Sequence, residues 1–356
     1  MVGSSSVSIY ELPVGKYTIE EDTGWSWRYD AAYDPDKPDG CTLTVNGGIQ
    51  LEAGNSLTIY GQSDGADTMG KLTASITSEN TDLYNAAIGG NTGETGGTLT
   101  VCGGAVEATV TVIDVSQSDP DTSQGNNNGS FAGDSYGAAI GGGGSETGTG
   151  GDGGTITISG GTVEVQSVSG AGIGGGNSGL GPSDSIPKKG TGGSGGNITI
   201  SGGSVTATTM TGRTIGLLAE RNQGRWAGAA IGGSFGGSSG NITISGGTVT
   251  AIVSSQTAPY ADPDADPKYS AGIGSSDHSI GGGTITISGG TVFAQSPDGA
   301  GIGSGENSDG SAIVIAIEGG TVEAVSTNGA GIGGGMIESL SAMTNPETTY
   351  SGGEIT

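Results

Sequence analysis

Two stretches, one repeat apart, hold the side chains with the most chemical capacity. Residues 211–228, TGRTIGLLAERNQGRWAG, carry three of the chain's four arginines (Arg213, Arg221, Arg225) beside Trp226. Residues 256–272, QTAPYADPDADPKYSAG, place Asp262, Asp264 and Asp266 between Tyr260 and Tyr269. An indole or phenol face flanked by Arg and Asp hydrogen-bonding groups suits the ring of a neutral sugar. On that reading Arg225, Trp226, Tyr260, Asp264 and Tyr269 are the candidate ligand-binding residues. The opposite charges also allow a plainer outcome, in which the two loops dock on each other through ion pairs and cover apolar surface.

The alternation Asp262-Pro-Asp264-Ala-Asp266 has the look of a calcium loop. It fails the EF-hand pattern, because Pro267 stands where the sixth-position glycine belongs and Ile273 occupies the twelfth position in place of glutamate. A looser oxygen-ligand site at Asp262, Asp264 and Asp266 is the metal reading left open, with calcium as its ion and no other cofactor indicated. The loop with Asp119, Asp121 and Asn126 to Asn128 is better explained as turn chemistry.

Glu107 and Glu164 fall at the same outward site of consecutive repeats, about one strand spacing apart. That approaches the ~5–5.5 Å of a retaining glycosidase pair, but a flat open face offers no pocket to separate their titrations, and exposed ladder carboxylates are the preferred reading. His278 is the single histidine, in SSDHSIGG, and the sequence supplies no obvious partner for it. Cys41 and Cys102 are too few for a disulfide framework and lack metal-ligand spacing.

The elements that must position these residues follow one unit, seen in compact form at 283–305, GTITISGGTVFAQSPDGAGIGSG. Ile285 and Ile287 alternate with threonines in a first strand, and Val292 and Ala294 alternate with Thr291 and Phe293 in a second. Ala300 and Ile302 alternate with glycines in a third. One such coil cannot bury its apolar side; stacked copies can. The Gly-Gly corner recurs at intervals from 30 residues (Gly289 to Gly319) to 57 (Gly103 to Gly160), so whatever exceeds the shortest repeat is insertion. Insertions are expected at two corners, between second and third strands and between the third strand and the next coil. The Gly-Gly corner is expected to accept none. The outward threonines Thr157, Thr199, Thr243 and Thr286 form a ladder that Ala316 interrupts, and strand propensity accounts for them.

Composition agrees with a thin core. Of 356 residues 78 are glycine and only 4% are aromatic, which argues against a large globular interior. The formal net charge of −26 would repel phosphate backbones and anionic lipid, so nucleic acid is excluded as a partner. No apolar run approaches the length of a membrane span, and no membrane insertion is expected. The fold class expected is all-β: a right-handed parallel β-helix (solenoid) of about seven to eight coils over 41–356, after a short antiparallel β segment and linker at 1–40.

Within that N-terminal segment, LPVGKYTIEED resembles the end of the Cna B-type domains of Gram-positive surface stalks, with Tyr17, Ile19 and Glu21 matching the family's Tyr-x-Leu-x-Glu motif. In that family the glutamate promotes an isopeptide bond; here no upstream lysine strand accompanies it. The rhythm ITISGGTVTA at Ile242 to Ala251 is similar to the calcium-associated polysaccharide-binding β-helix family of secreted clostridial proteins, and more widely to repetitive surface adhesins. Where that family tends to have Asp-Gly-Ile, this chain has Ala-Gly-Ile, so its calcium binding does not carry over. The resemblance implies a secreted or cell-surface protein. Both ends look cut, with Gly352 to Thr356 restarting the motif of Gly153 to Thr157. The reading preferred is a non-catalytic extracellular adhesin or glycan-binding rod whose partner is a polysaccharide, a host glycan or another surface protein. A polysaccharide lyase or glycoside hydrolase is the runner-up and a passive spacer the third.

Overall fold

The computed structural model describes residues 42–60, 70–79, 83–113, 135–146, 148–178, 191–211, 227–254, 269–279, 282–337 and 354–355. The segment 1–40, with the Cna B-like motif, and Cys41 lie outside them.

The strands run as eight triplets. The first are β1 (Thr42–Asn46), β2 (Ile49–Gln50) and β3 (Ser56–Ile59), then β4 (Lys71–Glu79), β5 (Ile88–Gly89) and β6 (Thr98–Val101). They continue with β7 (Ala105–Ile113), β8 (Ile140–Gly141) and β9 (Thr155–Ile158), then β10 (Thr162–Val168), β11 (Ile173–Gly174) and β12 (Asn197–Ile200). Next come β13 (Ser204–Met210), β14 (Ile231–Gly232) and β15 (Gly240–Ile244), then β16 (Thr248–Ser254), β17 (Ile273–Gly274) and β18 (Gly283–Ile287). Last are β19 (Thr291–Ser296), β20 (Ile302–Gly303) and β21 (Ile313–Ile317), then β22 (Thr321–Ser326), β23 (Ile332–Gly333) and β24 (Glu354–Ile355). Each member of a triplet pairs in parallel with its counterpart in the neighbouring triplets, giving three 8-stranded sheets. The chain is an all-β parallel β-helix of eight coils, consistent with the right-handed form that parallel crossovers adopt. Among the described residues no helix is long and apolar enough to cross a membrane.

The alternation read from sequence becomes columns along the axis. In the sheet that holds β9, β12, β15 and β18, Ile158, Ile200, Ile244 and Ile287 stand in register and are fully buried, while Thr157, Thr199, Thr243 and Thr286 face outward. Register extends that threonine ladder back through Thr100 and Thr58, to six coils. Beside it Asn241 Nδ2 donates to Asn197 Oδ1 (3.0 Å) and Thr284 Oγ1 to Asn241 Oδ1 (2.8 Å), so outward polar groups also bond from coil to coil.

The sheet of β7, β10, β13, β16 and β19 runs one inward position further than the Val-x-Ala motif suggests. That position is Val110, Ser167, Thr209, Val253 and Ser296 in successive coils. Its hydroxyls are buried and each donates to a carbonyl of the preceding coil: Ser167 to Gly137, Thr209 to Gly170, Ser296 to Ser270, at 2.7–2.9 Å. A polar residue is tolerated in the core because its hydrogen bond is satisfied there.

The third strands are two residues long, an inward isoleucine followed by a glycine with φ from 128° to 150° at Gly89, Gly141, Gly174, Gly232, Gly274, Gly303 and Gly333. A Cβ at any of the first six would lie about 2 Å (1.9 or 2.0 Å) from the carbonyl oxygen of the glycine in the next coil. The glycine that follows the isoleucine in the signature is therefore a requirement of close stacking.

One expectation needs correction. The corner between first and second strands is three residues long between β6 and β7 (102–104), but β3 and β4 are separated by 60–70, an insertion at the corner expected to accept none. The Gly-Gly pair sets the short corner only from β6 onward, since the equivalent residues 61–62 read Gly-Gln.

Candidate functional site

The two loops singled out leave and rejoin the helix at adjacent points. Residues 212–226 connect β13 to β14 and residues 255–268 connect β16 to β17, in consecutive coils at the same corner. Thr211 N donates to Ser254 O (3.1 Å) where the loops depart, and Ser270 Oγ donates to Ala227 O (2.5 Å) where they return. The four roots are thus held one strand spacing apart in pairs. Stacking of the coils alone brings the roots of the arginine-rich and aspartate-rich segments to one edge.

Arg225, Trp226, Tyr260, Asp262, Asp264 and Asp266 lie outside the described residues. Tyr269 is described, and it is 5% exposed within the hydrophobic core cluster. Its backbone is clamped by Glu306 of the next coil: Glu306 N donates to Tyr269 O (2.9 Å), and Tyr269 N donates to Glu306 Oε2 (3.3 Å). Tyr269 therefore anchors the returning end of the acidic loop. Among the described residues, no group of three or more His, Cys, Asp or Glu side chains is placed to hold a metal ion.

Glu306 belongs to a buried polar seam that the sequence did not reveal. Asp277 and Glu306 follow the third strands of consecutive coils at equivalent positions, and both are fully buried. Asp277 Oδ2 pairs with His278 Nδ1 at 2.8 Å, while the His278 side chain stays 43% exposed with its ring 5.8 Å from that of Phe235. The partner missing from the sequence reading of His278 is thus the residue directly before it. A left-handed backbone at His278 (φ 55°) accompanies the pairing, and Asn307 repeats that conformation one coil later (φ 50°), its Nδ2 donating to Glu306 Oε1 (3.1 Å). Ser308 Oγ donates to Ser276 O (2.6 Å) across the coils. A buried carboxylate beside an imidazole fixes the tautomer and orientation of the ring. The signal available in sequence was the aligned pair of turns SSDHS and SGENS, in which Asp and Glu occupy one position.

Glu107 and Glu164 are register partners on β7 and β10, as their spacing implied. Glu107 is engaged by Lys71 of the preceding coil in an ion pair and accepts a hydrogen bond from Thr73 Oγ1 (3.4 Å). It is a rung of an outward polar column, as the ladder reading of the pair implied, with Lys71 as a partner that reading did not name. Cys102 is a free, exposed thiol.

A second carboxylate pair lies at the first coils. Glu52 accepts from Asn91 Nδ2 (2.7 Å) and from the Gln50 side chain. Its pKa is raised above the ordinary value of 4.5, first by burial, then by the charge of Glu94 and a side-chain hydrogen bond with Glu94, against the lowering effect of Asn91. A carboxyl raised in the folded state contributes stability that is present below the unfolded value and lost as pH rises through the folded one. Glu52→Gln is therefore expected to raise the melting temperature at neutral pH and to flatten its decline as pH rises from 4.5. Melting followed by circular dichroism across that range checks it, and an unchanged pH profile would remove Glu52 as a source.

Four segments of the chain, 156–177, 242–277, 285–306 and 315–336, match the family described as Beta helix repeat. Together they cover less than a third of the residues, and each runs from an inward position of a first strand to the turn just past the third. No curated protein matches the chain. No solved structure matches it either.

Proposed function

We propose that the chain acts as a non-catalytic extracellular adhesin, a stiff β-helix that presents its insertion loops to a glycan. The observation that supports this reading is the pairing of the loop roots, Thr211 with Ser254 and Ala227 with Ser270, from which an arginine- and tryptophan-bearing segment and one rich in aspartate and tyrosine depart in consecutive coils. A rigid scaffold with variable material along one edge is the usual arrangement of a repeat-protein binding surface. Trp226 supplies the stacking face, Arg225 and Asp264 the directional hydrogen bonds, and Tyr260 a second ring. Tyr269, buried at the loop root, holds the platform in place. Asp262, Asp264 and Asp266 would hold a calcium ion if one stiffens the acidic loop. The partner is a neutral polysaccharide or host glycan, or a surface protein bearing one, and the working place is the cell surface or the medium around it.

Binding to a glycan array is expected to fall about tenfold or more in Trp226→Ala, the loss of one stacking ring. Retained binding in that variant removes the platform. Repeating the array after chelation of calcium separates the metal from the sugar contacts, since a calcium-stiffened loop loses affinity and an ion-independent one does not.

A further inference from the structure

Two buried carboxylates follow the third strands of consecutive coils, and each is paired with the residue after it. Asp277 meets His278 and Glu306 meets Asn307, the second residue of each pair having a left-handed backbone (φ 55° and 50°). The two pairs differ in one respect. The Asn307 amide is neutral at every pH, whereas an imidazole changes charge between about pH 5 and 8. Asp277 and Glu306 are both fully buried, and a buried carboxylate is held more firmly by a charged partner than by a neutral one. The Asp277 pair is therefore the one whose strength depends on pH.

That pair is connected to the returning ends of both loops. Asp277 N donates to Ser270 Oγ (3.2 Å), and Ser270 Oγ donates to Ala227 O (2.5 Å). Ala227 directly follows 212–226, and Ser270 stands two residues past 268. Glu306 reaches the same place from the following coil, accepting from Tyr269 N. On the preceding coil Gly236 N donates to Asp277 O (2.9 Å), and the Phe235 ring packs against His278. The following turn also touches the pair's own segment, where Asp309 N donates to Ser279 O (2.9 Å). Among the described residues on these elements the other titratable groups are Tyr269, Glu306 and Asp309, none of them basic.

We infer that Asp277 and His278 form a pH-sensitive latch on the returning ends of the two loops, firm while the imidazole is charged and loosened when it loses its proton. The His278 side chain is 43% exposed, so solvent reaches the ring. Nδ1 keeps its hydrogen on Asp277, and Nε2 is the atom that releases the proton to water. The neutral ring still donates through Nδ1, but the positive charge that offset the buried carboxylate is gone. The stabilisation is present at low pH and is lost as pH rises through the titration of the ring. As control of glycan affinity the latch rests on the loop platform proposed above; as a change at the loop roots it stands without it.

His278 is the chain's single histidine, so its ring signals in a nuclear magnetic resonance titration are unambiguous. Hydrogen exchange of the whole chain, divided at each pH by the intrinsic rate, reads the loop ends at 227–229 and 269–272. Protection there is expected to fall about tenfold as pH rises from about 5 to 8, with the same midpoint as the ring titration. Strands β6 and β9, further along the axis, are the reference and are expected to keep theirs. His278→Asn installs the residue type of the following coil, accepts the left-handed turn and keeps a donor for Asp277, so its loop-end protection is expected to be constant over that range. A flat profile in the unaltered chain, a midpoint away from that of the ring, or a persistent fall in His278→Asn overturns the inference. Should the variant lose its β-sheet circular dichroism, agreement or disagreement of the two midpoints in the unaltered chain decides alone. No sugar enters this measurement, so its failure is distinct from retained binding in Trp226→Ala, which removes the platform.

Discussion

Gly232→Ala is expected to destabilise the β-helix by about 4 kcal/mol or more, among the largest effects a single added methyl group can have. Gly232 has φ 139°, and a Cβ built on it lies 2.0 Å from Gly274 O and 2.9 Å from Gly274 C. Both atoms are backbone in the next coil, locked by pairing of β17 with β14 on one side and β20 on the other, so no side chain can swing aside. The coils must separate or the strand must leave its conformation. Gly54→Ala is the control: its φ is 92° but a Cβ there meets nothing within 4 Å, leaving a backbone cost of about 1–2 kcal/mol. Urea midpoints of the two variants separate the steric term from the conformational one. Equal losses would falsify the stacking argument.

Ile244→Ala and Ile317→Ala make the same chemical change in one column and are expected to differ widely. Ile244 is 0% exposed between Ile200 and Ile287, so its truncation leaves a cavity closed by coils on both sides and costs about 3–5 kcal/mol. Ile317, near the end of the stack, is only half-buried, and about 1–2 kcal/mol is expected for the smaller burial lost there. The comparison also tests how the rod unfolds. In a solenoid each coil touches only its neighbours, so the central cavity should raise amide exchange in β12 and β18 more than in β3 or β24. Uniform exchange along the axis would show a rod that melts as one unit.

Much of the architecture was readable because a coil is a local object. The pattern TITISGGTV places isoleucines inward and threonines outward whatever surrounds it, and repetition of that pattern leaves stacking as the way to bury them. The expected seven to eight coils, the parallel pairing and the alignment of Glu107 with Glu164 all follow from counting within the repeat. Where counting misled, the repeat was imperfect. The insertion at 60–70 occurs in the coil that lacks the Gly-Gly pair, and Gln50 occupies the place where the following coils have glycine. The partner of Glu107 was missed for another reason: Lys71 reaches it from a coil whose strand begins outside the regular motif.

The strand pattern and the inward and outward faces were determined by the amino-acid sequence alone, since each depends on residues within one coil. Contacts between coils were decided only by the tertiary structure. The glycine column cannot be told from ordinary turn glycines until the next carbonyl stands 2.0 Å from a would-be Cβ. The hydroxyls of Ser167 and Thr209 look like interruptions of an apolar strand until a carbonyl of the preceding coil receives them. Asp277 and Glu306 drew no reading from the sequence, and only stacking buries them at equivalent positions of consecutive coils. The physical reason is common to all three: sequence periodicity specifies the direction of a side chain, whereas the atom it meets across the strand spacing depends on which coil lies next and in what register.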